Sequence, residues 1–206
     1  MNEAQIENML RGRAMERIAV PGERDAAVLI PLVEKAGETC ILFEIRNASI
    51  AQGGEICFPG GQIEPDELPE KAAVRETIEE LALAETQVSV MAPLFEMTGP
   101  GGRRVSAFLG EVKNYRDTWS ASEVERIFLL PIDELLACEP LTHDDWMVTV
   151  TDDDFPYELI PGGREYPFRK IPRRFYFYKT KYGVIWGLTA ELLYRFLELL
   201  RQQGGE

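Results

Sequence analysis

The stretch Gly61-Gln62-Ile63-Glu64-Pro65-Asp66-Glu67-Leu68-Pro69-Glu70-Lys71-Ala72-Ala73-Val74-Arg75-Glu76-Thr77-Ile78-Glu79-Glu80-Leu81-Ala82-Leu83 decides how this chain is read. Residues 61–85 hold eight acids against two bases, a net of −6, close to half of the −13 carried by all 206 residues. Pro69 suits the first turn of a helix, and the spacing predicts a helix over 69–82. At roughly 100° per residue, Glu76 and Glu80 lie about 40° apart on that helix, with Glu79 about 60° away on the other side of Glu76. The three carboxylates therefore share one face, and Val74, Ile78 and Leu81 are expected to pack on a sheet from the opposite face. Like charges at this spacing destabilise a helix, and Arg75, four residues before Glu79, relieves only one of them. Two accounts remain open: a solvated acidic face, or a cation that offsets the repulsion. Oxygen donors of this kind suit Mg²⁺ or Mn²⁺. Gly60-Gly61 just upstream permits close approach of a ligand or metal to the backbone.

The spacing Gly61, Glu67, Arg75-Glu76, Glu79-Glu80, Leu83 resembles the signature of the Nudix hydrolases, G-x5-E-x7-R-E-U-x-E-E-x-G-U with U aliphatic. Two positions depart, Thr77 for an aliphatic residue and Ala82 for the last glycine, and Ala82 implies a helix that runs slightly longer before turning. The resemblance implies an α/β fold, an α/β/α sandwich with a mixed sheet and a loop-helix-loop metal site over 61–83. It implies Glu76 and Glu80 as primary metal ligands, Glu79 as a further ligand or catalytic water-binding group, and the Gly61 carbonyl as a member of the shell. Arg75 joins the catalytic set, and Glu67 supports the loop or pairs with Arg75. A diphosphate repels an incoming nucleophile, so bound metal neutralises it and helps ionise the water.

Upstream, Ile41-Leu42-Phe43-Glu44-Ile45-Arg46, Gly54 and Phe58-Pro59-Gly60-Gly61 resemble the motif of the coenzyme A pyrophosphatase branch, L-L-T-x-R-(S/A)-x3-R followed by G-x3-F-P-G-G. Arg46 stands for the first arginine, but Asn47 replaces the small residue and the second arginine is absent. Near the other end, Ile185-Trp186-Gly187-Leu188-Thr189-Ala190 is similar to that branch's I-W-G-x-T-A, and Tyr166-Pro167-Phe168 also resembles it. Trp186 and Gly187 are expected at a strand-to-helix junction packed in the core. The resemblance implies cleavage of coenzyme A or a derivative to phosphopantetheine and adenosine 3′,5′-bisphosphate. A Nudix hydrolase of ADP-ribose, a dinucleotide or a nucleoside triphosphate, and a non-catalytic Nudix-fold ligand sensor, remain alternatives. Three intact carboxylates argue against the sensor.

Residues 163–181 carry seven bases and only Glu165 as an acid, a net of +6, and Arg103-Arg104 follows Gly101-Gly102. Arginine recognises phosphate through paired hydrogen bonds. Arg46, Gly60, Arg103, Arg104, Arg173 and Arg174 are thus candidate substrate-binding residues, the basic clusters replacing the missing arginine; a solvated loop or a subunit contact is the alternative. Glu123 and Glu125 resemble the late glutamate that serves some members as general base.

The rest of the chain reads as one domain over 1–206. Ile6, Met9, Leu10, Ala14 and Ile18 predict an N-terminal helix over 3–18. The runs 26–33 and 39–45, separated by 35–38, predict a hairpin. Strands are expected at 87–95, 105–112, 127–130 and 175–179, a short helix at 132–137, irregular loops over 140–172 and a closing helix at 188–201. The alternating aromatics Phe175 to Tyr178 read as half-buried strand rather than as an RNA-binding platform.

Composition excludes several classes. A pI near 4.7 argues against a nucleic-acid partner, because such binders neutralise phosphates with basic residues. The longest apolar run, 26–33, is far short of the roughly 18 residues of a membrane span. Three cysteines without a C-x-x-C pair predict free thiols in a cytoplasmic protein. The single histidine, His143, reads as a surface residue rather than part of a triad. The expected partner is a small nucleoside diphosphate-linked substrate, with no membrane; oligomeric state is not readable from the residues, although homodimers are frequent in the family that the chain resembles.

Overall fold

A computed structural model describes residues 5, 9, 11, 12, 24–99 and 102–203. The expected helix over 3–18 lies almost entirely outside the described residues. Strand β1 (Ala26–Lys35) and β2 (Glu38–Arg46) form the predicted hairpin. Its two-residue turn, Ala36-Gly37, has positive φ at both positions (54° and 84°), the backbone twist that suits tight hairpins. The hairpin stays paired only from Leu32↔Ile41 to Lys35↔Glu38 and then opens. Two short strands fill the fork. β3 (Ile56–Cys57) adds to β2 at Glu44 and Ile45, and β4 (Gly60–Gln62) adds to β1 at Ala26 to Val28.

Helix α1 (Pro69–Leu81) follows, then β5 (Val88–Thr98) and β6 (Arg104–Val112). β6 runs parallel to β1 while β5 returns antiparallel, so the sheet is mixed. β5 is an edge strand with register shifts around Val90/Ala92 and Pro93/Phe95, a tolerable place for Pro93. β7 (Val124–Pro131) pairs along β2 and leads into α2 (Ile132–Ala137). A second, three-stranded sheet contains β8 (Leu141–Met147), β9 (Ile171–Thr180) and β10 (Gly183–Ile185), and α3 (Gly187–Gln203) closes the chain.

Alternation along β1 divides the seven-stranded sheet into two faces. Ala27 and Leu29 pack with Ala72 and Ala73 of α1, whereas Ile30 packs with Phe43, Phe128 and the α3 residues Leu192, Leu193, Phe196 and Leu197. The expected α/β/α layering is present. Tyr176 and Tyr178 of β9 are buried in the α3-side core, with Tyr176 stacked on Tyr194 at 4.1 Å, as core residues should be.

Four expectations need correction. Residues 141–147 form a strand rather than a loop; every residue of β8 is solvent-exposed, so no in-out alternation marks it in the sequence. The helix does not outrun Leu81: Ala82 adopts a left-handed conformation (φ 51°, ψ 53°), and the Leu83 N–H closes on the Ile78 carbonyl at 3.0 Å. Trp186 sits at the β10–α3 junction but is 44% exposed, outside the core. Val74, Ile78 and Leu81 pack on the sheet as expected, but Ala72, Ala73, Thr77 and Glu80 are also buried, so the carboxylates are not confined to the opposite face. Thr77 tolerates burial because its hydroxyl donates to the Ala73 carbonyl at 2.7 Å.

Candidate active site

The site lies where the β1–β2 hairpin opens. The turn Phe58-Pro59-Gly60 crosses the fork, and the Leu29 N–H donates to the Pro59 carbonyl at 3.0 Å. Gly60 has φ 149°, and a Cβ there would meet the Ala27 carbonyl oxygen at 2.3 Å, so only glycine lets the turn lie against β1. A Cβ on Gly61 would meet the Glu76 carboxyl carbon at 2.3 Å. Gly60 thus lets the turn lie on β1, and Gly61 leaves room for the Glu76 side chain of α1.

Glu80 reaches the turn. The Gly60 N–H donates to Glu80 Oε2 at 2.8 Å, and Arg46 Nη1 stands 4.0 Å from Glu80 Oε1. Glu80 is 2% exposed, so it does not share a solvent face with its neighbours. Glu76 is half-buried and Glu79 exposed; the three carboxylates are graded by depth instead of lying side by side.

Arg75 spans more of them than its spacing indicated. Its Nε and Nη2 donate to the two oxygens of Glu67 at 2.9 and 3.0 Å, Nη1 donates to Glu76 at 2.8 Å, and Nη1 lies 3.8 Å from Glu79. Nη2 also donates to the Gln62 carbonyl, and Glu67 accepts the Glu64 N–H at 2.9 Å. Glu67 therefore both ties the loop and pairs with Arg75. These hydrogen bonds hold the Glu67 carboxyl below the usual carboxylate range and keep Arg75 charged.

One residue that the motif did not mark lies beneath. Glu44 of β2 is fully buried on the α1 side of the sheet. Its Oε1 accepts the Cys57 thiol at 3.2 Å, and its Oε2 has no hydrogen-bond partner among the described residues. Burial pushes the Glu44 and Glu80 carboxyls upward, and the charge of Glu44 raises Glu80 further. The available signal was an acid inside the apolar strand run 41–45, where acids are rarely buried without a purpose.

The chain after β6 completes the surroundings. The Ser120 N–H donates to the Glu80 carbonyl and the Thr118 hydroxyl to the Leu81 carbonyl, both at 2.7 Å, satisfying the open end of α1. The same loop is fixed to β2 where the Asn47 N–H donates to the Glu123 carbonyl and its side-chain amide to the Ala121 carbonyl, both at 2.8 Å. Glu123 is exposed yet close enough to raise Glu44 electrostatically, whereas Glu125 sits at the register shift of β7 against β2.

The structure thus gathers Arg46, Gly60, Gly61, Glu67, Arg75, Glu76, Glu79 and Glu80. Arg46 is engaged within the site, its Nε donating to the Ala51 carbonyl at 3.2 Å, and the Gly60 N–H is taken by Glu80. The other arginines lie apart from this network. Arg104 is held by Asp25 at 2.7 Å, and the Arg103 Nε is buried without a hydrogen-bond partner among the described residues. Arg174 pairs with Asp144 at 2.6 Å, and Arg173 lies over the Phe175 ring. A cavity of about 290 Å³, lined in part by Met97, Thr98, Arg173, Arg174, Tyr176 and Arg195, brings the end of β5 to the β8–β9 hairpin. His143 is exposed on β8, and the three cysteines are free.

Among the described residues, no three Asp, Glu, His or Cys side chains already surround a common point; Arg75 spans them instead. The donors nevertheless suit a hard divalent cation. They are all oxygens, and the buried Glu80 and the open Oε2 of Glu44 are negative or acceptor groups lacking full compensation. No helix among the described residues is long and apolar enough to cross a membrane.

A family model described as NUDIX domain matches residues 23–153. The chain is 30% identical over 132 residues to the mouse peroxisomal coenzyme A diphosphatase NUDT7, covering 63% of this chain and 55% of that protein, so it spans about half the length of that relative. It is 29% identical over 178 residues to the Nudix hydrolase NudL of Photorhabdus laumondii, covering 85% and 84%. Among solved structures, a Nudix hydrolase from M. smegmatis, RenU, aligns over 54% of this chain and 73% of that one, with 25% identity and a TM-score of 0.47.

Proposed function

The chain belongs to the Nudix family, whose hydrolases act on pyrophosphate bonds of nucleoside diphosphate derivatives, and from that premise we propose a divalent-metal-dependent pyrophosphohydrolase of coenzyme A or a derivative. The products are phosphopantetheine and adenosine 3′,5′-bisphosphate. The observation that carries the reading is the buried Glu80 carboxylate, fastened to the Gly60 amide and flanked by Glu76 and Glu44.

Glu76 and Glu80 would hold the cation, with Glu79 and the Gly61 carbonyl completing its oxygen shell. Mg²⁺ or Mn²⁺ bound there supplies neutralisation of the diphosphate and a lowered pKa for water. The remaining work falls to the chain itself. Arg75 keeps Glu76 and the 62–67 loop in register through four hydrogen bonds. Glu123, on a loop anchored to both the α1 end and β2, is the general base that takes the proton of the attacking water; its nearness to Glu44 favours it over Glu125.

Two features support coenzyme A as substrate. The mouse relative is named a coenzyme A diphosphatase. The C-terminal segment resembling I-W-G-x-T-A follows β10, which packs by Gly183 against Ile56, directly before the Phe58-Pro59-Gly60-Gly61 turn. The cavity at Arg173 and Arg195 is the candidate subsite for the extra phosphate, since Arg173 has no carboxylate partner among the described residues. A core running through β2, β7, β9 and α3 supports one domain.

The test is incubation with Mg²⁺ and, separately, coenzyme A, ADP-ribose, NADH and a diadenosine polyphosphate, with products separated by chromatography. Adenosine 3′,5′-bisphosphate from coenzyme A as the preferred product is the expected result. Preference for another substrate overturns the coenzyme A reading, and no product from any of them favours a ligand sensor.

A further inference from the structure

We propose that Glu44 is a positioning residue of the cation site, placing a buried negative charge behind Glu80 and Arg46 so that a divalent cation is held more tightly. The inference rests on the reading of Glu76 and Glu80 as ligands.

Two observations converge. Glu44 is fully buried, and its Oε2 finds no hydrogen-bond partner among the described residues. An unmatched buried oxygen of this kind costs roughly 1–3 kcal/mol, and more when it is charged. Such a group persists when something absent from the resting fold compensates it. A divalent cation does so, because it converts carboxylate repulsion into attraction.

The surroundings make the charge directional. Glu44 and Arg46 stand two residues apart on β2 and so face the same side of the sheet, toward α1. Arg46 reaches Glu80 on its far side at 4.0 Å, and Cys57 fixes Glu44 Oε1 from the neighbouring β3 at 3.2 Å. Glu80 itself is held by the Gly60 N–H. Glu44 thus acts through Glu80 and Arg46, with Cys57 holding its orientation and leaving Oε2 open. The hairpin fork provides the space: β3, rather than β1, lies beside Glu44.

The full-length chain is titrated with Mn²⁺ alone, by calorimetry and by the electron paramagnetic resonance signal of free Mn²⁺, for wild type and Glu44→Gln. The amide keeps the shape and still accepts the Cys57 thiol but removes the charge. The expected result is Mn²⁺ affinity weakened on the order of tenfold, the range for partners that support metal ligands. The metal-free melting temperature should not fall, because repulsion with Glu80 has been removed. Glu44→Met, an apolar residue of similar length, is the second neutral variant and should weaken Mn²⁺ binding in the same way if Glu44→Gln fails to fold. Glu44→Asp, which keeps the charge, should retain affinity to within a few-fold. Wild-type affinity in a folded neutral variant overturns the proposal. Wild type that binds no Mn²⁺ overturns the cation site itself, and the inference with it.

Discussion

Arg75 and Arg174 each grip a carboxylate through Nε and Nη2, yet the two pairs differ in everything around that grip. The Arg75–Glu67 pair is only 28% and 15% exposed, and the same guanidinium also reaches Glu76 and a backbone carbonyl. The Arg174–Asp144 pair has shorter bonds, 2.6 and 2.7 Å, but its partners are 57% and 65% exposed on two strands of a hairpin. Water competes with the second pair on all sides, and exposed ion pairs contribute little. The first is tied to the loop backbone, so losing it would release several groups together. Bond length does not rank the two; burial and shared partners do.

The largest expected effect tests the buried region. Glu80→Gln should lose at least about 100-fold in turnover with Mg²⁺, more than the loss of a merely supporting partner. Its circular dichroism should stay that of wild type, since the amide can still accept the Gly60 N–H. Near-normal turnover would sink Glu80 as a ligand and make the buried network structural. A smaller effect concerns the end of the same helix. Ala82 pays the steric cost of a left-handed conformation with an exposed methyl group. Ala82→Gly should therefore raise stability by roughly 0.5–1 kcal/mol in denaturant unfolding, with activity unchanged. A destabilised variant would show that the methyl group makes contacts outweighing the strain. The smallest effect belongs to the hairpin. Arg174→Ala should leave the melting temperature nearly unchanged. If the cavity beside it holds the extra phosphate, KM for coenzyme A rises while KM for dephospho-coenzyme A does not. Equal KM shifts for both would leave the hairpin as surface only.

Much of the scaffold was readable because it is local. The turn at Ala36-Gly37 follows from two apolar runs around a glycine, and α1 begins at Pro69 as its sequence demands. The short helix after Pro131 and the closing helix also stand within two residues of expectation. β8 was not readable. Its seven residues are all exposed and include Asp144-Asp145, and it is a strand because β9, some thirty residues on, pairs with it. The left-handed turn at Ala82 escaped because alanine rarely takes that conformation; the Leu83 N–H closes it on Ile78, and Thr118 and Ser120 from a distant loop satisfy the carbonyls of the helix end.

For the site, spacing alone identified Gly61, Glu67, Arg75, Glu76, Glu79 and Glu80, because a loop followed by a helix fixes their relative directions. Charge balance and motif determined the family. Tertiary structure decided the depth of each carboxylate, since depth depends on which other strands lie above and below. The open fork of β1 and β2 admits the glycine turn, the turn draws Glu80 inward, and β2 brings Glu44 beneath it. Periodicity assigns a face to a helix position, but only packing assigns it a dielectric. That environment decides whether a glutamate is a solvated charge or part of a cation site.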